Sequence, residues 1–526
     1  MNILLGIDYG TGGCKVTAIY EDGSFAGEAS TEFPTSHDHP GWSEQDPHDW
    51  WNALAESLKK LAAKGVDLKS VAACALDGST HNAVLLDAEY RPVRRTIMWT
   101  DQRSTAECEA LRAGWGEKIF STCSQMPAPT WTLPQMMWLK ANEPDALART
   151  AHVLFVKDYV RYLLTGEAAT DHIEAQGTLF FDMAKGDWCD ELVALAGLSR
   201  EKLPRFIAPT DVAGHVTREA AEFTGLPEGM PVVCGSSDSA VEDYGAGAVE
   251  PGDLIIKLAT AGNVNSMTAA AHPHPKTLTY SHIVPGMWYS VSATNAAALC
   301  MRWFRDAFYS LGSLGSDRVG LDSAAPLTNR PYATLKDPSR PCIDPKRLYA
   351  LIDQEAGTSP VGANGVFFHP YLQGERCPYW DANLRASFTG VSISTTRGDF
   401  ARALMEGVAF SLRDCYRTLE EMRLPVKRIF LIGGGARSRI WSEIVANVFN
   451  CSVAVPEPGD ASFGSCLLAG TGIGLFPDVK SAVAKCLKIG RRIEPDPATA
   501  AQYDHLFTCY RRIHDALAPV YRPRGA

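Results

Sequence analysis

The sequence predicts an α/β protein built as two domains, on three observations. At 526 residues the chain is too long for one core, and about two large domains is the natural division. Short apolar strand patterns alternate with helical ones from end to end. A strand–turn–strand unit opens the chain over residues 3–20 and recurs over residues 253–267, just past a Glu250-Pro251-Gly252-Asp253 turn. That turn sets the expected boundary between residues 1–249 and 250–526.

Composition narrows the function classes. Hydrophobic residues make up 46% of the chain and charged residues 21%, as in an ordinary globular protein. A net charge of −10 argues against general nucleic-acid binding, which needs a basic face against phosphates. No apolar run is long enough to span a bilayer. The opening Met1-Asn2-Ile3-Leu4-Leu5-Gly6-Ile7-Asp8 lacks the basic stretch of a signal peptide and reads as a buried strand. The 14 cysteines form no C-x-x-C and the 13 histidines no H-E-x-x-H. Free thiols in a reducing cytoplasm are therefore expected, with neither a disulfide framework nor a zinc site. Neither nucleic acid nor a membrane is an expected partner. The assembly is left open, with a homodimer as one option.

In the first half, residues 3–7 form an apolar strand ending at Asp8, followed by Tyr9-Gly10-Thr11-Gly12-Gly13. Such a turn presents backbone N–H groups to phosphates and places Asp8 where it could hold magnesium. Taken alone, these residues favour the simpler reading of a plain Gly-rich turn. Residues 15–20 return as a second strand, and Asp22-Gly23 signals a hairpin into a third. Asp46-Pro47 starts a helix as N-cap and first residue, with Trp50, Leu54, Leu58 and Leu61 on its buried face. Residues 71–76 and 83–86 read as strands of one sheet. Between them lies a polar loop, Asp77-Gly78-Ser79-Thr80-His81-Asn82, and residues 97–99 deliver a second, Thr100-Asp101-Gln102-Arg103. An α/β sheet puts ligand contacts on such strand ends. Residues 130–225 read as mostly helical, with no chemistry beyond packing.

The apolar strand at residues 230–234 leads into Gly235-Ser236-Ser237-Asp238 and a helix start. Gly235 permits the sharp turn. Asp238 on that turn either caps the helix or, with its charge favoured by the helix N-terminus, serves as a cleft-facing base.

In the second half, residues 253–258 form a strand ending in Ala259-Thr260-Ala261-Gly262, with a return strand over 263–267. Residues 310–345 are rich in Gly, Ser, Pro and Asp and read as a surface loop. Residues 365–369 form a strand before Pro370-Tyr371-Leu372-Gln373-Gly374-Glu375-Arg376, and Arg397-Gly398-Asp399 opens a long core helix. Residues 428–432 deliver Gly433-Gly434-Gly435-Ala436-Arg437-Ser438 to a helix, and bare glycine backbone lets a ligand ring or phosphate approach. This is not G-x-G-x-x-G, and no G-x-x-x-x-G-K-[ST] occurs, so neither a Rossmann nor a P-loop reading is supported. Residues 463–469 and 498–517 read as closing helices.

Five stretches together resemble the FGGY carbohydrate kinase family, in its xylulokinase branch. They are Gly6-Ile7-Asp8-Tyr9-Gly10-Thr11-Gly12, Trp42-Ser43-Glu44-Gln45-Asp46-Pro47, Gly235-Ser236-Ser237-Asp238 with Gly245-Ala246-Gly247, Pro370–Arg376 with Trp380-Asp381, and Ile432-Gly433-Gly434-Gly435-Ala436-Arg437-Ser438. The resemblance implies two RNase-H-like (actin-like, ASKHA) domains with the active site in the cleft between them. Residues 1–249 would bind the sugar and carry the base, and residues 250–526 would bind ATP. It implies transfer of the γ-phosphoryl of ATP to a sugar hydroxyl, with Asp238 as the base and Asp8 near Mg2+. Thr11 and Gly12 would lie by the transferring phosphoryl. Thr260 and Gly262 would grip phosphates, Gly434, Gly435 and Ser438 would border the adenosine, and Thr80, His81 and Asp101 would join Asp238 in facing the sugar.

Two stretches depart from the usual pattern of that branch. Thr80-His81 replaces Met-His, making the pocket floor smaller and more polar, and Ala259-Thr260-Ala261-Gly262 replaces Gly-Thr-Ser-Gly. The expected reaction is phosphorylation of a pentulose such as D-xylulose to D-xylulose 5-phosphate. Gluconate, ribulose, L-xylulose or a tetrulose are alternative acceptors, and a non-catalytic sugar- or ATP-binding relative is the alternative of another class.

Overall fold

A computed structural model describes residues 2–309 and 345–521. The expected surface loop lies outside the described residues as far as residue 344.

Two mixed sheets organise the molecule. In the first, Ile3–Gly10 (β1), Gly13–Tyr20 (β2) and Phe25–Glu32 (β3) form an antiparallel meander. Val71–Gly78 (β4) and Pro231–Ser237 (β5) extend it in parallel on the other side of β1. In the second, Asp253–Leu258 (β6), Gly262–Thr268 (β7) and Trp288–Thr294 (β8) repeat the meander. Arg428–Ile432 (β9) and Val453–Pro456 (β10) repeat the parallel pair. Each sheet therefore runs third, second, first, fourth, fifth strand, with antiparallel strands added at the edges. The two strand–turn–strand units are the start of this repeat.

Local sequence accounts for the elements. Residues 3–7 are buried throughout, the pattern of a strand covered on both faces. Asp46 accepts the His48 N–H ahead of the Pro47–Ala63 helix, and Thr396 and Asp399 make a reciprocal capping box for Arg397–Glu421. One expectation is corrected. Ala83–Leu86 and Thr96–Ile97 lie outside the main sheet, pairing with His152–Phe155 and Glu44–Gln45 respectively. Ala83–Leu86 is buried at every position, and such a run carries no sign of which sheet it joins.

A single hydrophobic cluster bridges the sheets. Leu4, Ala75 and Val233 from the first and Ile255, Phe430 and Ile432 from the second share it with Val241, Tyr244, Phe463 and Leu467. The last four belong to the helices Asp238–Gly245 and Ala461–Gly472. These approach at backbone distance: a Cβ on Gly464 would lie 2.3 Å from the Val241 carbonyl oxygen. The Ala461–Gly472 helix also seats on β1, where a Cβ on Gly6 would lie 1.7 Å from the Ser462 carbonyl oxygen. A late segment thus completes the core of the first sheet. Among the described residues, no helix is long and apolar enough to cross a membrane.

Candidate active site

The first sheet presents its polar residues at the ends of three adjacent parallel strands. Asp8 on β1 stands opposite Asp77 on β4, and Ser236 and Ser237 on β5 stand opposite Asp77 and Gly78. Thr11 and Gly12 form the β1–β2 turn, residues 79–82 follow β4, and Asp238 follows β5. Three separate sequence stretches thereby share one sheet edge, the position where α/β sheets bind ligands.

Asp238 is half-buried at the first turn of its helix; Ser237 is the N-cap. Asp238 Oδ1 accepts from the Ser239 N–H at 2.7 Å, and the Thr80 hydroxyl lies 3.4 Å from the same oxygen. Burial raises its pKa above the usual carboxylate value, against the pull of Lys257 and these hydrogen bonds. Desolvation thus outweighs the stabilisation expected from the helix terminus.

Asp8 and Asp77 form a carboxylate pair. Burial, together with the charges of Asp238, Asp460 and Glu242, lifts Asp8 to about 7, partly offset by the neighbouring Asp77 carboxyl. Burial and the Asp8 charge hold Asp77 well above the carboxylate range. Asp77 Oδ2 accepts from Ser465 at 2.6 Å, while its Oδ1 is buried without a partner. Two adjacent carboxylates, one with an unpartnered oxygen, suit a cation. Among the described residues no group of three or more His, Cys, Asp or Glu is placed to hold a metal. A pair is sufficient for magnesium, which usually takes one or two carboxylates and completes its shell with water and substrate phosphates.

The Thr80-His81 loop is held from behind. His81 has a φ of 58°, donates its N–H to Glu174 Oε1 at 2.5 Å, and accepts from Thr132 at 2.6 Å through its carbonyl. Its ring stacks on Trp131, and burial pulls its pKa down to about 3, so the ring is neutral. A Cβ on Gly177 would lie 2.7 Å from Thr80 Cγ2. Glu174 belongs to a buried charge network with no signal in the sequence. Lys157 pairs with Asp158 at 2.6 Å and Asp171 at 2.8 Å, and Arg161 with Asp158 at 2.9 Å. Asp171 in turn accepts from Ser236, two residues before Asp238. The stretch expected only to pack therefore braces both the Thr80 loop and the Asp238 turn.

Asp101, expected beside the sugar, is 1% exposed. Its carboxylate is occupied by the Ser43 N–H and by the backbone and guanidinium of Arg103, at 2.6 to 2.9 Å. It therefore positions the loop. Trp99 ties the loop to the neighbouring strand ends: its N–H donates to Asn82 Oδ1 and its indole Nε1–H to Thr11 Oγ1 at 3.2 Å.

The second sheet presents two turns side by side. Lys257 pairs with Asn263 on one flank and Ile432 on the other, so the Ala259–Gly262 turn and the glycine turn emerge together. Thr260 is exposed and its hydroxyl accepts from Arg302 at 3.0 Å. A Cβ on Gly262 would meet Leu412 and Thr294 at 2.8 Å, so this glycine is required by packing. The three glycines differ likewise. Gly433 has a φ of 88° and approaches the Leu258 carbonyl, Gly435 packs on Leu258 and Trp441, and a Cβ on Gly434 would meet nothing within 4 Å; Gly433 and Gly434 are both exposed. Ser438 caps the next helix through Trp441 N–H and donates to Asp353 at 3.0 Å.

Two ion pairs link the halves beside the cleft. Lys15 on β2 meets Asp460 at 2.6 Å, and Lys257 on β6 meets Glu242 at 2.5 Å. Sequence reasoning assigned no role to Asp77, Glu174, Glu242, Lys257 or Arg302. Only Asp77 left a local trace, as a member of the polar loop.

Comparison with known proteins agrees with this arrangement. Residues 3–245 match the N-terminal domain of the FGGY family of carbohydrate kinases and residues 260–473 its C-terminal domain. The chain is 30% identical over 522 residues to the xylulose kinase of Escherichia coli (strain K12), covering 98% of this chain and 99% of that protein. It superposes on the crystal structure of a xyloylose kinase from Brucella ovis with a TM-score of 0.84 at 31% identity, covering 99% of this chain and 100% of that one. The gluconokinase of Bacillus subtilis (strain 168) is 24% identical over 522 residues, covering 98% of this chain and 96% of that protein. With both domains matched in order, and with the two-sheet α/β fold of the sugar kinases, the chain belongs to the FGGY family of carbohydrate kinases.

Proposed function

We propose that this kinase phosphorylates a pentulose, D-xylulose in the first instance, giving D-xylulose 5-phosphate, with ATP as donor. The observation that supports this best is the position of Asp238: its carboxylate lies by Thr80 on one side, and its helix reaches Lys257 beneath the phosphate turns on the other. In this reading residues 1–249 form the sugar side and residues 250–526 the nucleotide side.

Asp238 takes the proton of the attacking hydroxyl as that oxygen bonds to the γ-phosphorus. The bond to the bridging oxygen breaks, and its electron pair leaves with ADP. A base with a raised pKa suits this step, since proton transfer is most effective when acid and base are matched. Thr11, Gly12, Thr260, Gly434 and the backbone around them orient the phosphates, the main task in phosphoryl transfer. Asp8 and Asp77 would hold Mg2+, which supplies charge neutralisation when bound. The 13 described cysteines are free thiols, which fits action in the cytoplasm.

Thr80 supports a second reading within the same chemistry, because a hydroxyl in the pocket floor suits a more polar acceptor such as gluconate. An ADP-release assay over pentuloses, tetruloses, hexuloses and aldonates tests both readings. Turnover with D-xylulose above the other acceptors supports the first. Preference for gluconate replaces it with the second, and no turnover with any acceptor overturns both.

A further inference from the structure

The Lys257–Glu242 pair invites a chemical reading beyond the link it makes between the sheets. Helix Asp238–Gly245 contacts the second sheet through two adjacent acids. Asp243 is fully buried and takes both carboxylate oxygens to the Asn265 amide, at 3.0 and 2.9 Å. That neutral-donor contact already links the helix to the second sheet. Glu242 instead holds an ammonium, and its partner side chain remains 27% exposed.

Lys257 occupies a specific place. It is the second-last residue of β6, level with Ile432, which precedes the glycine turn, and with Asn263, which follows the Ala259–Gly262 turn. Glu242 lies one helical turn from Asp238. The ammonium therefore sits where the base's helix meets the strand that carries a phosphate turn. The carboxylates that act on it are Glu242, Asp238 and Asp243, and Asp8, Asp77 and Asp460 lie next to these in turn. Of the cations near them, Lys15 is committed to Asp460 and Glu28. A triphosphate entering this acidic setting needs a cation on the Asp238 side. Lysine, with a flexible stem and three donors, can change partners without backbone movement.

Building on the kinase reading above, we infer that Lys257 is a catalytic residue whose ammonium exchanges Glu242 for the transferring phosphoryl group of ATP. Glu242 holds the lysine in place and is left uncompensated when it moves. Burial already raises the Glu242 pKa, so the carboxyl can take up a proton at that moment. The exchange also moves a cation from the base's own helix to the oxygens on which charge accumulates during transfer.

The test compares Lys257→Met, Lys257→Arg and Glu242→Gln with the wild type, in the full-length protein. Calorimetry measures affinity for a non-hydrolysable ATP analogue and for ADP. Loss of a charged contact to the third phosphoryl group is expected to weaken the analogue at least ~10-fold in Lys257→Met. ADP affinity should be unchanged, and Lys257→Arg should recover part of the loss. Glu242→Gln should bind the analogue as well as the wild type or better, because the competing carboxylate is gone. In turnover with the accepted sugar, Lys257→Met should lose kcat/KM for ATP by at least ~10-fold with the sugar KM unchanged. Equal analogue affinity in wild type and Lys257→Met overturns the inference, whichever sugar is phosphorylated. Equal losses in Lys257→Met and Glu242→Gln, with equal falls in Tm, also overturn it and leave only a link between sheets. The binding result does not depend on the acceptor, so failure of the D-xylulose reading shows separately in the sugar panel.

Discussion

Asp8 and Asp77 face each other across paired parallel strands, and Asp77 Oδ1 is buried there without a hydrogen-bond partner. If this pair holds Mg2+, Asp77→Asn should raise the Mg2+ concentration for half-maximal turnover by at least ~10-fold. A magnesium titration of ADP release measures it. An unchanged midpoint would place the ion elsewhere.

The same pair sets a pH dependence. Asp8 titrates near 7 in the folded protein, against 3.8 ordinarily, so between these values the folded state binds more protons than the unfolded chain. Its contribution to stability is full below the ordinary value and is lost as pH rises through the folded one. In EDTA, the Tm of the wild type relative to Asp8→Asn should therefore fall from pH 4 to pH 8. A difference that is flat with pH would refute the shift.

For Asp238→Asn, turnover should fall by about 10²–10⁴-fold while the sugar KM changes little. The amide keeps the size of the side chain but cannot take the hydroxyl proton. Near-normal turnover would show that another group is the base.

Thr80→Met removes the hydroxyl near Asp238 and extends the side chain over the pocket floor. The ratio of kcat/KM between a ketose and an aldonate should shift by roughly 10-fold or more, with the ATP KM unchanged. An unaltered acceptor ranking would mean that Thr80 does not line the pocket.

Gly464→Ala places a methyl group 2.3 Å from the Val241 carbonyl oxygen, where two backbones cross. Overpacking there should cost about 1–3 kcal/mol, read as a lower urea midpoint. Full retention of stability would mean that the crossing helices can separate at little cost.

Much of this architecture was legible because it is local. Asp46-Pro47, the Gly10–Gly13 turn and the Asp22-Gly23 hairpin signal each specify their own geometry within a few residues. The candidate site was legible in part, because Asp8 ends an apolar run and Thr80 and Asp238 follow strands that the sequence pattern locates. Partner identity was not legible. Glu174 looks like any helical glutamate until the fold brings it to the His81 N–H, and Ser465 reaches Asp77 across 388 positions. The partners of Asp101 were hidden for the same reason: an acid on a polar loop gives no sign that Ser43 and Arg103 will hold it. The glycine turn was partly misleading too, since Gly433 and Gly435 are required by the neighbouring strand and helix whether or not a nucleotide binds.

The seating of the Ala461–Gly472 helix on β1 has a consequence for biosynthesis. All six strands of the first sheet have been made by residue 237, yet the helix that covers Gly6 comes more than two hundred residues later. At about 5–20 residues per second, translation leaves that face uncovered for roughly ten seconds or longer. During that interval the cluster around Leu4 and Ala75 lacks Phe463, Cys466, Leu467 and Leu468. The nascent chain is then most exposed to aggregation and most dependent on a chaperone, and a transcript truncated before codon 461 would remain in that state.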